Sequence, residues 1–132
     1  MTYRNAIRSL TAMLAMLLGS IAYGTDDLDY SNKWRIECSG NAESDGIVRF
    51  RVTPADGKPT EVTVRIEGGR SENGVARDIR DAFRAQLPRG TYDIETDDGE
   101  DVLIKKNLLQ DRFSLELLSA TVDDVRLDLE QE

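Results

Sequence analysis

Histidine is absent from this 132-residue sequence, cysteine occurs once, and aromatic residues make up only 6%. Without an imidazole there is no Ser-His-Asp or Cys-His nucleophile system, no HExxH zinc site, and no side chain whose ordinary pKa lies near neutrality. A single thiol has no partner within the chain, so a domain exported to an oxidising compartment must hold together on its core alone. Positive charge is also scarce. Lys and Arg number 17 against 25 Asp and Glu, a formal charge of -8, which disfavours generic attraction to nucleic acid or anionic lipid over most of the surface. No apolar run reaches the roughly 20 residues that a membrane-spanning helix needs.

What is present begins with Arg4 and Arg8, an almost uncharged apolar run from Leu10 to Tyr23, then small residues ahead of Asp26 and Asp27. This is the three-part layout of a secretory signal peptide. Ala22 and Gly24 flank Tyr23 in a small-x-small pattern, so residues 1–24 are expected to be removed by cleavage between Gly24 and Thr25. Cys38 lies too far downstream, and in the wrong context, for a lipoprotein anchor. The expected product is periplasmic or extracellular, with no membrane anchor. Losing Arg4 and Arg8 takes its formal charge from -8 to -10.

Residues 25–33 are polar and acidic and read as a flexible leader, ahead of a single domain over 34–132. Trp34, Ile36 and Cys38 alternate with charged residues, as the inward face of a half-buried strand does. Val48, Phe50 and Val52 alternate with Arg49 and Arg51, and Val62, Val64 and Ile66 with Thr63 and Arg65, the two runs being joined by turn formers. That is a hairpin signal. After Gly68-Gly69 the period changes: Val75, Ile79 and Phe83 recur every four residues, Ser71 or Asn73 can cap the start, and Pro88 and Gly90 close a helix. Strand alternation returns at Tyr92–Thr96, Val102–Ile104, Phe113–Leu117 and Val125–Leu129. The expected fold is α+β: an antiparallel or mixed sheet of about six or seven strands with one helix packed on a face. The β-β-α-β-β order from about Val62 to Leu117 loosely resembles small modules of flagellar and phage-tail proteins. It carries no diagnostic motif, and no family is assigned on it.

The densest acidic run is Asp93, Glu95, Asp97, Asp98, Glu100 and Asp101. Calcium takes six to eight oxygen ligands, but the spacing of glycine and of the last acid is wrong for an EF-hand, so the run reads as a solvated hairpin tip. Paired carboxylates could serve glycoside hydrolysis, yet with this many acids pairs are inevitable and none is singled out. No catalytic residue, metal ligand or cofactor is therefore expected. Cys38 and Trp34 read as core residues.

The helix carries one arrangement that composition does not foretell. At 100° per residue, Arg77, Arg80 and Arg84 fall within an arc of about 60°, away from the apolar stripe, with Asp78 and Asp81 on the other flank. Arg70 and Arg89 lie just beyond the two ends and could lengthen this ridge, the only clustered positive charge that the pattern reveals. Solvated arginines paired with acids of adjacent strands would account for it blandly. Used functionally, it would dock an acidic protein or other polyanion through arginine's planar fork. The expectation is a small exported, non-catalytic macromolecule-binding domain that does not bind nucleic acid, with Arg77, Arg80 and Arg84 as the partner-binding residues. The alternative is a glycan, small-ligand or calcium-binding module, and after it a carboxylate-dependent hydrolase.

Overall fold

Period-two alternation becomes strand, and period-four repetition becomes helix, at each place where the sequence carries them. The computed structural model describes residues 28–132; the expected signal peptide and its cleavage site lie outside the described residues. In chain order the elements are β1 (Lys33–Ser39), β2 (Gly46–Pro54), β3 (Thr60–Ile66), α1 (Glu72–Gln86), β4 (Tyr92–Asp97), β5 (Asp101–Lys106), β6 (Phe113–Ala120) and β7 (Arg126–Gln131). The fold is α+β, and the seven strands among the described residues are paired antiparallel throughout.

The strands do not make one sheet with a helix on its face. They divide into a four-stranded sheet ordered β4-β5-β1-β7 and a three-stranded sheet ordered β3-β2-β6. The division begins at the β1–β2 connection, whose backbone bonds elsewhere instead of closing a hairpin. The Ala42 N–H donates to the Arg70 carbonyl at 2.8 Å, and the Ala42 carbonyl accepts from the Gly69 N–H at 2.7 Å. This crossing carries the chain from one sheet to the other, leaving β1 to pair with β5 and β7.

Both sheets point their alternate residues into one core. Trp34, Ile36 and Cys38 of β1 meet Val48, Phe50 and Val52 of β2, Val62, Val64 and Ile66 of β3, and Val102 and Ile104 of β5. The helix packs against β3 of one sheet and against β4, β5 and β1 of the other, so it fills the side between two sheet edges. Ser71 caps it by accepting the Gly74 N–H at 3.1 Å, and the Leu87 N–H closes the last turn on the Phe83 carbonyl at 3.0 Å. Its Phe83 ring lies 5.1 Å from that of Phe50, in the three-stranded sheet.

At another corner the sheets are tied by Phe113. Ser31 and Phe113 exchange backbone hydrogen bonds of 2.9 and 3.0 Å, the Trp34 indole donates to the Phe113 carbonyl at 2.9 Å, and the Tyr92 ring meets the Phe113 ring edge-on at 4.9 Å. The chain is thus engaged from Ser31 onward, inside the stretch expected to be a leader. Between β2 and β6 the register shifts at Arg49/Phe50, which leaves Leu118 without a cross-strand partner.

Candidate interaction surfaces

The helix presents the arginine ridge as its geometry requires. Arg77, Arg80 and Arg84 lie on the side of α1 away from the buried Val75, Ile79 and Phe83. Among the described residues only Arg80 of the three is ion-paired, through Nε to Asp81 Oδ1 at 2.9 Å. The acids of neighbouring β4 do not neutralise them. Arg84 instead donates from Nε to the Ile94 carbonyl at 2.8 Å. Ile94 stands in the edge strand β4, and its carbonyl faces away from β5.

Two flanking arginines behave differently from one another. Arg70 does not lengthen the ridge: it grips Asp78 with Nε and Nη2 at 3.0 and 2.8 Å, on the opposite flank of the helix, and also donates to the Gly74 carbonyl. That pairing raises its pKa still further. Arg89 stays exposed just past the helix.

The ridge is also not the only cluster of positive charge. Arg49 and Arg51 share the outer face of β2, and Arg65 stands diagonal to Arg49 across the β2–β3 ladder, where side chains are within reach of one another. Arg51 lies 3.7 Å from Glu61 and 4.0 Å from Glu116, long distances that give weak pairs. The signal was available, because Arg49, Arg51 and Arg65 are the polar members of the two alternating runs. A strand pattern simply does not announce charge clustering as a helical wheel does.

The outer face of the four-stranded sheet is acidic around one half-buried cation. Arg35 reaches Asp101 at 2.6 Å, Asp97 at 3.2 Å and Glu132 at 2.5 Å, and Lys33 reaches Glu132 at 3.1 Å. These partners raise the Arg35 pKa, while Arg35 and Lys33 lower that of Glu132. Two members of the acidic run are therefore counter-ions of Arg35. Glu37 has the opposite surroundings: Asp101 and Asp128 sit directly across from it on either side, and Glu130, then desolvation, Asp101 and Asp128, push its pKa up.

Cys38 is 2% exposed, and desolvation first, with Asp101, Glu72 and Glu100 after it, pushes its thiol up to about 12. Such a thiol is not ionised at neutral pH and is a poor nucleophile. Among the described residues a cleft of about 960 Å³, open to solvent, runs past Asp45, Ile47, Arg65, Glu67, Arg70 and Asp78. Two of its carboxylates are already engaged, Asp78 by Arg70 and Asp45 by the Gly68 N–H at 2.7 Å. No protein-family model matches this chain, and no curated protein matches it either.

Proposed function

We propose that the chain is a small exported, non-catalytic domain that binds another macromolecule, and that Arg77, Arg80 and Arg84 receive an acidic partner. The observation that supports this most is the state of the ridge: three guanidinium groups in a row on one helix, with a single ion pair to them among the described residues. Arginine's planar fork matches carboxylate and phosphate groups, and a local positive field on an acidic molecule orients an incoming polyanion. Two of the three carboxylates in the open cleft, Asp45 and Asp78, are held by neighbours, which favours binding over hydrolysis as the domain's work.

The experiment uses immobilised polyglutamate and heparin as polyanion probes. Binding of the wild-type chain is expected to weaken as salt rises, and Arg77→Glu with Arg80→Glu to lower affinity about tenfold at low salt, chiefly through the association rate. Arg84 is left intact because it also holds the Ile94 carbonyl. Unaltered affinity and salt dependence in the double variant would remove the ridge as the binding surface. Export belongs to the same reading, and the intact mass of protein from its native host checks it: a chain that retains Met1–Gly24 would sink the cleavage.

A further inference from the structure

The β5–β6 connection closes as a tight turn, the Gln110 N–H donating to the Asn107 carbonyl at 3.0 Å. Its two central residues, Leu108 and Leu109, are 97% and 101% exposed. Single exposed leucines are common, but two in succession at the apex of a turn form an apolar tip that gives nothing to the core. The turn is held in place. Asn107 donates its side-chain amide to the Gly90 carbonyl at 2.5 Å and its backbone N–H to the Thr91 carbonyl at 3.0 Å. The leucines are thus presented on a braced support.

Positive charge gathers around this tip. Lys105 and Lys106 line the same small cleft as Leu108. Arg112 follows three residues after Leu109, and its carbonyl accepts the Ala55 N–H at 2.9 Å, which brings the β2–β3 turn to this end. Lys58 of that turn shares a cleft with Pro88, Thr91 and Gln110, and Arg89 sits in the turn that Asn107 grips. Among the described residues none of these five cations is ion-paired. The acids at this end include Asp93, cross-strand from Lys105, the neighbouring Asp56 and Asp111, and Glu132, which is paired with Lys33 and Arg35. Asp56 pushes the pKa of the adjacent Asp111 up. On a chain of formal charge -8, this end has more cations than anions.

We propose that this end of the domain is a peripheral contact for an anionic membrane, in which Leu108 and Leu109 enter the bilayer interface and Lys58, Arg89, Lys105, Lys106 and Arg112 meet lipid phosphates. An apolar centre with a cationic rim is the pattern of an interfacial anchor, where burial of hydrocarbon and attraction to acidic headgroups act together. The acid-rich outer face of the four-stranded sheet is repelled by the same surface. The contact is separate from the arginine ridge and does not depend on it.

The test uses the full chain with Leu109→Trp as a local probe, Trp34 being buried and serving as a constant background. A local readout matters because the apolar run Leu10–Tyr23 can itself adsorb to lipid. With vesicles of equal phosphatidylglycerol and phosphatidylcholine, the introduced indole is expected to shift its emission to the blue and to be quenched by brominated acyl chains. Phosphatidylcholine vesicles and high salt should both reduce the response. Lys105→Glu with Lys106→Glu in this background should lower partitioning about tenfold, and Leu108→Ser should lower it severalfold. An emission that stays that of a water-exposed indole at every lipid concentration would overturn the proposal. So would equal partitioning onto neutral vesicles or indifference to the lysine reversals; an unshifted emission leaves the leucine pair as a plug for a protein pocket. The ridge residues are untouched in every variant, so failure here leaves the polyanion reading standing.

Discussion

At the scale of single residues, the same side-chain chemistry is put to opposite uses by its neighbours. Glu37, half-buried in β1, and Glu132, just past β7, are glutamates of ordinary pKa 4.5, one surrounded by acids and the other by Arg35 and Lys33. For Glu132 the folded-state pKa is lowered, so its contribution is present above the ordinary value and is lost as pH falls through the folded one. For Glu37 the folded-state pKa is raised, so the fold binds its proton more tightly than the unfolded chain does, and stability declines as pH rises through that value. Denaturant midpoints across the acid range should therefore separate them: Glu37→Gln stabilises at pH 7, Glu132→Gln destabilises there, and both differences shrink once the carboxyls are protonated. Cys38 makes a second prediction at this scale. A buried thiol with its pKa near 12 should react with a thiol reagent only after denaturation, and Cys38→Ser should cost about 1–3 kcal/mol by placing a hydroxyl among apolar groups. Rapid labelling of the folded protein would contradict the burial.

At the scale of elements, the helix does more than cover apolar surface. Edge strands expose unpaired backbone groups that invite association with other chains. Near its C-terminal end α1 covers one such edge on each side. Gln86 donates its side-chain amide to the Thr63 carbonyl at 2.7 Å and accepts the Thr63 N–H at 2.8 Å, standing in for a neighbouring strand on β3. Arg84 covers the Ile94 carbonyl of β4 in the same way. Gln86→Ala is expected to cost about 1 kcal/mol and to make the protein more prone to associate at high concentration, which chemical denaturation and light scattering would read separately. Stability lost without any change in association would mean that Gln86 only braces the helix. The β4–β5 turn shows the same economy: Asp98 and Gly99 adopt φ of 52° and 82°, and a Cβ at Gly99 would come within 3.0 Å of Asn73 at the helix N-terminus.

For the whole molecule, the two sheets and the helix share one core, and Phe113 stands where they join. It is fully buried, takes Ser31 through its backbone and the Trp34 indole on its carbonyl, and packs against Tyr92 from the other sheet. Phe113→Ala should cost about 3–5 kcal/mol while unfolding remains a single transition, since neither sheet has a core of its own. Two separate transitions by calorimetry would show the sheets to be independent units.

Local pattern was enough for the pieces. The alternation around Trp34, Phe50, Val64, Ile94 and Leu115 marked each strand, and the spacing of Val75, Ile79 and Phe83 marked both the helix and the side on which Arg77, Arg80 and Arg84 emerge, because periodicity within an element depends only on backbone geometry. The partition into two sheets was beyond that reach. Ile36 pairs with Val102 on one side and Leu129 on the other, and nothing near Ile36 in the chain distinguishes those partners from Val48. The fates of charged side chains were equally hidden: Arg70 locked to Asp78, Arg84 turned onto a carbonyl, and Leu108 and Leu109 left in solvent although they follow a strand of buried residues. Periodicity is a property of neighbours along the chain, whereas strand pairing, ion pairing and exposure depend on which distant segments the shared core brings together.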